Sequence, residues 1–492
     1  MTFLRTPSEP TPEAKPAASH DTTPPPKLLE FMTARWKPRS GKVARVRAAE
    51  RHAARRAALS ARFPGEWLFV PTGHERVRAN DTFYRFRPGS DFYYLTGNTE
   101  PDCVLALAPR AGAGAGHDAV LFVEPNPGKT SPTFFTDRVK GELWVGPRLG
   151  VDESRARYGV ERAMPLADLE KVAGEVAAAG TPWRVLRGLA PAVDKAATHD
   201  AARDQELATA LSEMRLVKDA LEVAALERAI ASTKRGFEDV IRALRGAHSE
   251  REVEGVFNLR ARVEGNDVGY GTIAAAGAHA CTLHWTRNDG PVVKGDLLLL
   301  DAGVEGLELY TADITRTLPI GGRFGREQRV IYELVLEAQR AGFAAVKPGN
   351  DFMEPNRAAM QVLADGLERL GILDSAAEAL KDEHQFYKRY SLHNVSHMLG
   401  IDVHDCAQAR QEAYKLGKLK AGMVLTVEPG LYFQTDDLTV PARYRGVGVR
   451  IEDDVLVTTR GCRILSDDIP RETKDVEAWM QRLWRAKAPR AR

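Results

Sequence analysis

An apolar run, Leu297–Leu300, ends directly in Asp301, the same arrangement recurs where Val424–Val427 runs into Glu428, and the alternating strand Val447–Ile451 ends in Glu452. Acids at the ends of strands that read as buried constrain this chain more than any other feature. After Asp301, Val304-Glu305-Gly306 reads as a turn, and Leu307 to Ile314 returns toward a further acid, Asp313. A hairpin there sets two carboxylates on adjacent strands. In Val447–Glu452 the two-residue period of a strand puts Gly448, Arg450 and Glu452 on one face and Val447, Val449 and Ile451 on the other. Several carboxylates converging beside apolar strands are prohibitive unless something compensates them. Two divalent cations balance four ionised carboxylates. An oxygen-rich set with a single imidazole suits Mn²⁺ better than a thiolate-type zinc site. Two metals also permit a shared hydroxide at neutral pH.

Taken singly, each acid has a plainer reading, since an acid after an apolar strand often serves as a turn residue or cap. A lone His is usually a packed or surface residue. His393 and His397 are four apart and would also fit one face of a helix, as in a mononuclear zinc site. It is the combination that resists dismissal: four acids with His284, His393, His397 and His404 in the segments CTLHWTRNDG, LLLLDAGVEGLELYTADITRT, LHNVSHMLGIDVHD, LTVEPGLYF and GVGVRIEDD. Spacing alone does not say which His is a ligand.

At 492 residues the chain has room for two or three domains, at about 150 residues each. Its 69 Lys and Arg nearly balance 67 Asp and Glu, which argues against a nucleic-acid binder. No apolar run approaches the roughly 18 residues that span a bilayer. Four scattered cysteines without a C-x-x-C pair speak against a disulfide framework. The opening MTFLRTPSEP has no apolar signal-like core, so a cytoplasmic location is expected. Seven of the 28 prolines fall within the first 26 residues, and residues 1–40 are expected to form a flexible tail. The Ala/Arg-rich stretch Lys42–Arg62 reads as a solvated helix. Strand-sized runs at Trp67–Val70, Val104–Leu107, Ala119–Val123 and Val185–Leu189, with a helix near Ala167–Ala179, predict an α/β domain over 41–208. A long helical pattern from Glu213 to Leu244 follows. Ser249 and Glu252 then form a capping box for a helix over Arg251–Val263, and an α+β domain over 209–485 is expected.

The five segments resemble aminopeptidase P (Xaa-Pro aminopeptidase), of the pita-bread metallopeptidase superfamily that also holds prolidase, methionine aminopeptidase and creatinase. The resemblance spans about residues 45 to 480. It implies an α/β creatinase-like N-terminal domain followed by an α+β pita-bread catalytic domain. By position it implies Asp301, Asp313, His397, Glu428 and Glu452 as ligands of two divalent ions, with Asp313 and Glu452 bridging. Mn²⁺ is the expected metal, with Zn²⁺, Co²⁺ or Fe²⁺ also compatible. His284, His393 and His404 match histidines around the metals that contact substrate, and Arg450 an arginine that organises the proline pocket. Within VRANDTFYRFRPGSDFYYLTG, Asp81 matches an acid that reaches a neighbouring subunit's site. Trp144, in ELWVGPRLG, matches another residue of that contact region.

The sequence departs from the family pattern twice. Asp301 to Asp313 is one residue longer than usual, which a hairpin turn absorbs, and Asn394 follows His393 where Gly is common. The function implied is removal of the residue preceding proline at a peptide N-terminus. A dinuclear-metal-bound hydroxide would be the nucleophile and Glu428 the proton carrier, in a homodimer or homotetramer that binds neither nucleic acid nor membrane. Prolidase, confined to dipeptides, is the alternative, and a catalytically silent scaffold of the same fold the more distant one.

Overall fold

The computed structural model describes residues 24–37, 42–112, 115–197 and 199–486. Most of the Pro-rich segment lies outside the described residues. Where that segment is described it contains a helix, Pro26–Thr33, opened by Pro26 at a position whose N–H has no helical partner anyway. The chain divides into two compact units, Met1–Leu207 and Ala208–Arg492.

In the first unit the apolar runs form a five-stranded sheet, ordered Arg162–Pro165, His117–Val123, Val104–Pro109, Trp67–Pro71, Trp183–Val185. The three central strands are antiparallel and each outer strand is parallel to its neighbour. The strand expected at Val185–Leu189 is instead Trp183–Val185, because Gly188 turns the chain away with φ of 81°. The Ala/Arg-rich stretch does form a helix, Ala49–Arg62, but its polar side is not the solvated face expected: His52, Arg55 and Arg56 are buried. Arg56 donates to the carbonyls of Leu95 at 2.9 Å and Gly159 at 2.8 Å, and Arg55 lies 3.9 Å over the Tyr94 ring. The carbonyls ending helix Ser90–Thr96 have no partner within that helix, so an enclosed guanidinium supplies the donor they need.

The second unit uses one plan twice. The helices Ala220–Leu244 and Glu250–Glu264 precede the antiparallel strands Ile273–Ala276, Leu297–Ala302 and Ile314–Pro319. The helices Arg326–Ala345 and Glu354–Arg369 precede Val424–Val427, Gly430–Tyr432, Gly448–Arg450 and Asp453–Val457, which pair antiparallel in turn. Ser249 caps its helix as expected, accepting from Glu252 N–H. The single helix expected from Glu213 to Leu244 is two, Ala201–Arg215 and Ala220–Leu244. Lys218 sits in the break, fully enclosed, with its ammonium 2.9 Å from Asp405 Oδ2 and 2.6 Å from the Arg215 carbonyl. Continuing the helix would withdraw Lys218 from that carboxylate, and Asp219 caps the helix that follows. Val304–Glu305, expected as a turn, is a short strand paired with Asp267–Val268. The chain reverses instead over Gly306–Tyr310, where Leu309 has a φ of 62°.

One buried residue ties the two halves of this unit together. Arg316, on strand Ile314–Pro319, donates to the carbonyls of Glu452 at 2.6 Å, Ile469 at 2.9 Å and Pro470 at 2.8 Å, and pairs with Asp453 at 2.7 Å. Its guanidinium satisfies groups that no water reaches.

Candidate metal centre

Strand register brings the acids together. Asp301 lies directly opposite Thr315 on the neighbouring strand, and Asp313, two residues before Thr315, shares that residue's face. Val427 pairs with Asp453, so Glu428, one residue on, and Glu452, one residue back, leave the same end of their ladder. His397 is held beside that ladder by Thr426 N–H donating to its carbonyl at 3.0 Å and by its own N–H donating to Thr426 Oγ1 at 3.2 Å. Residues 391–400 contain no helix, so His393 and His397 do not share a helical face.

Ligand atoms of Asp313, His397 and Glu452 lie within 4.8 Å of one another. His397 Nε2 is 3.3 Å from Asp313 Oδ2 and 3.4 Å from Glu428 Oε1. Asp301 accepts from the Tyr270 hydroxyl at 2.7 Å and from Arg450 Nη2 at 2.6 Å. Arg450 also reaches Tyr432 Oη at 3.0 Å, and that hydroxyl lies 2.7 Å from His393 Nε2. His404 stands edge-on to His397 with ring centroids 4.4 Å apart. One cavity of about 770 Å³ is lined by all of them: Asp301, Asp313, Glu428 and Glu452, the histidines 284, 393, 397 and 404, and Arg450.

The electrostatics of this cavity are those of a cation site. Burial, reinforced by Asp313, holds the Glu428 carboxyl up at about 7 although His397 opposes the shift. Burial and then the charges of Asp313 and Glu428 push Glu452 far above the carboxylate range. Burial alone would lower His397, but its hydrogen bond to Asp313 and the charge of Glu428 raise it to about 9. Burial followed by Arg450 lowers His393 to about 4. Four crowded carboxylates with His397 among them, and no cysteine lining the cavity, fit hard or borderline divalent ions.

Asp81 and Trp144 belong to the first unit. Arg138 joins them there, pairing with Asp81 at 3.1 Å while its guanidinium lies 4.9 Å from the Trp144 ring centre. Both are exposed.

Sequence reasoning did not single out four residues that organise the site. Tyr270 donates into it, Tyr432 Oη accepts from Arg450, Thr315 Oγ1 bonds Glu452 at 2.7 Å, and Asp454 accepts from the Asp313 N–H at 3.2 Å. Thr315, Tyr432 and Asp454 stand inside the quoted segments, two residues after Asp313, four after Glu428 and two after Glu452. Tyr270 lies outside them, in a short Gly-flanked stretch with no periodic signal.

Residues 224–459 match metallopeptidase family M24, and residues 52–183 match the aminopeptidase P N-terminal domain. Xaa-Pro aminopeptidase 1 of Streptomyces coelicolor is 53% identical over 435 residues, 88% of this chain and 87% of its own. The structure of Escherichia coli aminopeptidase P with the inhibitor Pro-Leu superposes with a TM-score of 0.79 at 30% identity, covering 89% of this chain and 99% of that one. A zinc-substituted form of the same enzyme with product gives 0.77 at 30% identity and the same coverage. Fold and cavity together define a metal-dependent peptidase. The chain belongs to metallopeptidase family M24, in its aminopeptidase P group.

Proposed function

We propose that this peptidase releases the N-terminal residue from peptides with proline in second position. The observation that carries the reading is the convergence of the five proposed ligands, three further histidines and Arg450 on one cavity, in a chain whose relatives are named Xaa-Pro aminopeptidases. Asp301, Asp313, His397, Glu428 and Glu452 would hold two divalent ions, with Mn²⁺ the expected pair. When bound, these ions supply Lewis acidity and lower the pKa of water toward neutrality.

The remaining work falls to side chains. Glu428, whose Oε1 lies 3.4 Å from His397 Nε2 in this cavity, takes a proton from the attacking water and delivers it to the departing nitrogen. His284 and His404 donate to the scissile carbonyl oxygen as negative charge develops on it. The proline nitrogen carries no N–H, so recognition shifts to shape, and His393 and Arg450, linked through the Tyr432 hydroxyl, form the wall that supplies it. The same reading includes a homodimer or homotetramer, with Asp81 and Trp144 at its contacts, in the cytoplasm.

The test pairs Mn²⁺-loaded with chelator-treated protein on a Gly-Pro dipeptide, a Xaa-Pro-Xaa tripeptide and a longer Xaa-Pro peptide. Metal-dependent release of the first residue from the tripeptide and the longer peptide is expected. Cleavage confined to the dipeptide would make the enzyme a prolidase, and no cleavage with metal bound would end the proline-specific reading.

A further inference from the structure

His284 is carried on the segment that leaves strand Ile273–Ala276 and contains no further strand before Pro291. One carboxylate fastens this segment along its whole length. Glu250, the first residue of helix Glu250–Glu264, is fully buried. Its Oε1 accepts from Ala276 N–H at 2.7 Å and from His279 Nδ1 at 2.9 Å. Its Oε2 accepts from Trp285 Nε1 at 2.8 Å and from Gly290 N–H at 2.7 Å. The Glu250 backbone N–H donates in turn to the Gly290 carbonyl at 3.0 Å. The beginning, middle and end of the segment thus meet on one side chain. Packing is equally close: the His279 and Trp285 rings stack at 3.9 Å, and a Cβ on Gly290 would collide with His279 and Glu250.

A carboxylate in the first turn of a helix ordinarily serves the helix itself, through its dipole or its free N–H groups. None of the four donors to Glu250 belongs to its own helix. They all come from the segment bearing His284. Trp285 is drawn inward to Glu250, whereas His284 and Thr286 line the cavity and Trp285 does not.

We infer that Glu250 is a positioning residue for the proposed peptidase reaction: it fixes His284 against the substrate carbonyl by stapling residues 276–290. The inference rests on the function proposed above. In Glu250→Gln one oxygen becomes an NH₂ group, so two of the four donors face a donor. The expected result is a loss of about 10- to 100-fold in kcat, the range that small misplacement of a catalytic group produces. KM and Mn²⁺ stoichiometry stay as in wild type. The double variant E250Q/H284A should be no slower than H284A alone, because both changes act through one imidazole. Amide hydrogen exchange over residues 276–290 should accelerate in E250Q while strand Leu297–Ala302 keeps its protection. Trp285→Phe, which deletes one donor and keeps the ring stack, should move kcat and exchange in the same direction by less.

Wild-type kcat in E250Q, or losses that multiply in E250Q/H284A, would overturn the assignment. If E250Q does not fold, W285F decides by the same two measurements. If the wild-type enzyme cleaves no Xaa-Pro peptide, the aminopeptidase reading fails, and exchange over 276–290 still decides the staple: unchanged protection in E250Q refutes it.

Discussion

Arg450 Nη2 lies 2.6 Å from Asp301 Oδ2, and both side chains are almost wholly enclosed. The same guanidinium lies 3.2 Å from Thr315 Oγ1 and 3.0 Å from Tyr432 Oη, so one cation spans the acids on one side and the His393 wall on the other. Arg450 is thereby the hinge between the proposed metal ligands and the proposed proline pocket. Its planar fork, rather than its charge alone, makes the geometry possible.

Arg450→Lys keeps the charge and loses the fork. The expected result is a fall in kcat/KM of about 100-fold, of the size produced by small misplacement in an active site. Metal content measured by elemental analysis should stay close to two ions per chain. Wild-type kinetics in this variant would remove Arg450 from the site's working parts.

Asp313→Ala and Glu452→Ala should each abolish two-metal loading, because both are proposed ligands and their donor atoms lie within 4.8 Å of one another and of His397. Dialysis against Mn²⁺ followed by elemental analysis checks this, and retained two-ion stoichiometry in either variant refutes the ligand assignment.

Metal binding and pH should be linked in a definite direction. Glu428 is raised from 4.5 to about 7 and His397 from 6.5 to about 9 in the metal-free site. A pKa raised by folding contributes stability that is present at low pH and disappears as pH rises through the folded value. In metal-free protein the contribution of these two groups should therefore disappear between about pH 4.5 and pH 9, opposed below about pH 6.5 by His393, while bound cations take the place of the displaced protons. The rise in unfolding temperature on adding Mn²⁺ should be larger at about pH 8.5 than at about pH 5.5. A gap that does not change with pH would contradict these shifts.

Lys218→Met leaves Asp405 enclosed without its ammonium partner, although Arg215 Nε remains 3.1 Å away. Removing one member of a buried pair typically costs about 3–5 kcal/mol, and denaturant unfolding should register a loss toward the lower end of that range. Because Asp405 follows His404 directly, kcat should fall as well. Unchanged stability would show that Arg215 alone suffices.

The sequence made the acids legible because strand periodicity and strand ends are local signals. Asp301 and Glu428 could be found from the apolar runs beside them, and Glu452 from the alternation of Val447–Ile451. What it hid was whatever depends on distant partners. Arg55 and Arg56 read as a wet helix face because nothing near them shows that the carbonyls of helix Ser90–Thr96 need donors. The break at Lys218 is set by Asp405, 187 residues away, and no local propensity encodes it. Val304–Glu305 read as a turn because its partner strand, Asp267–Val268, is only two residues long and has no apolar run of its own. Glu250 stood beside a correctly placed N-cap, Ser249, and its own four partners lie 26 to 40 residues further on.

The two-fold plan of the second unit has a consequence for ancestry. Asp301 and Asp313 come from the first helix-and-strand half, and His397, Glu428 and Glu452 from the second. Neither half carries the whole proposed ligand set. If such a domain arose by joining two copies of a shorter gene, the early product would have been a vessel built from two facing chains. Fusion then freed each copy to specialise, one toward acids alone and the other toward the imidazole.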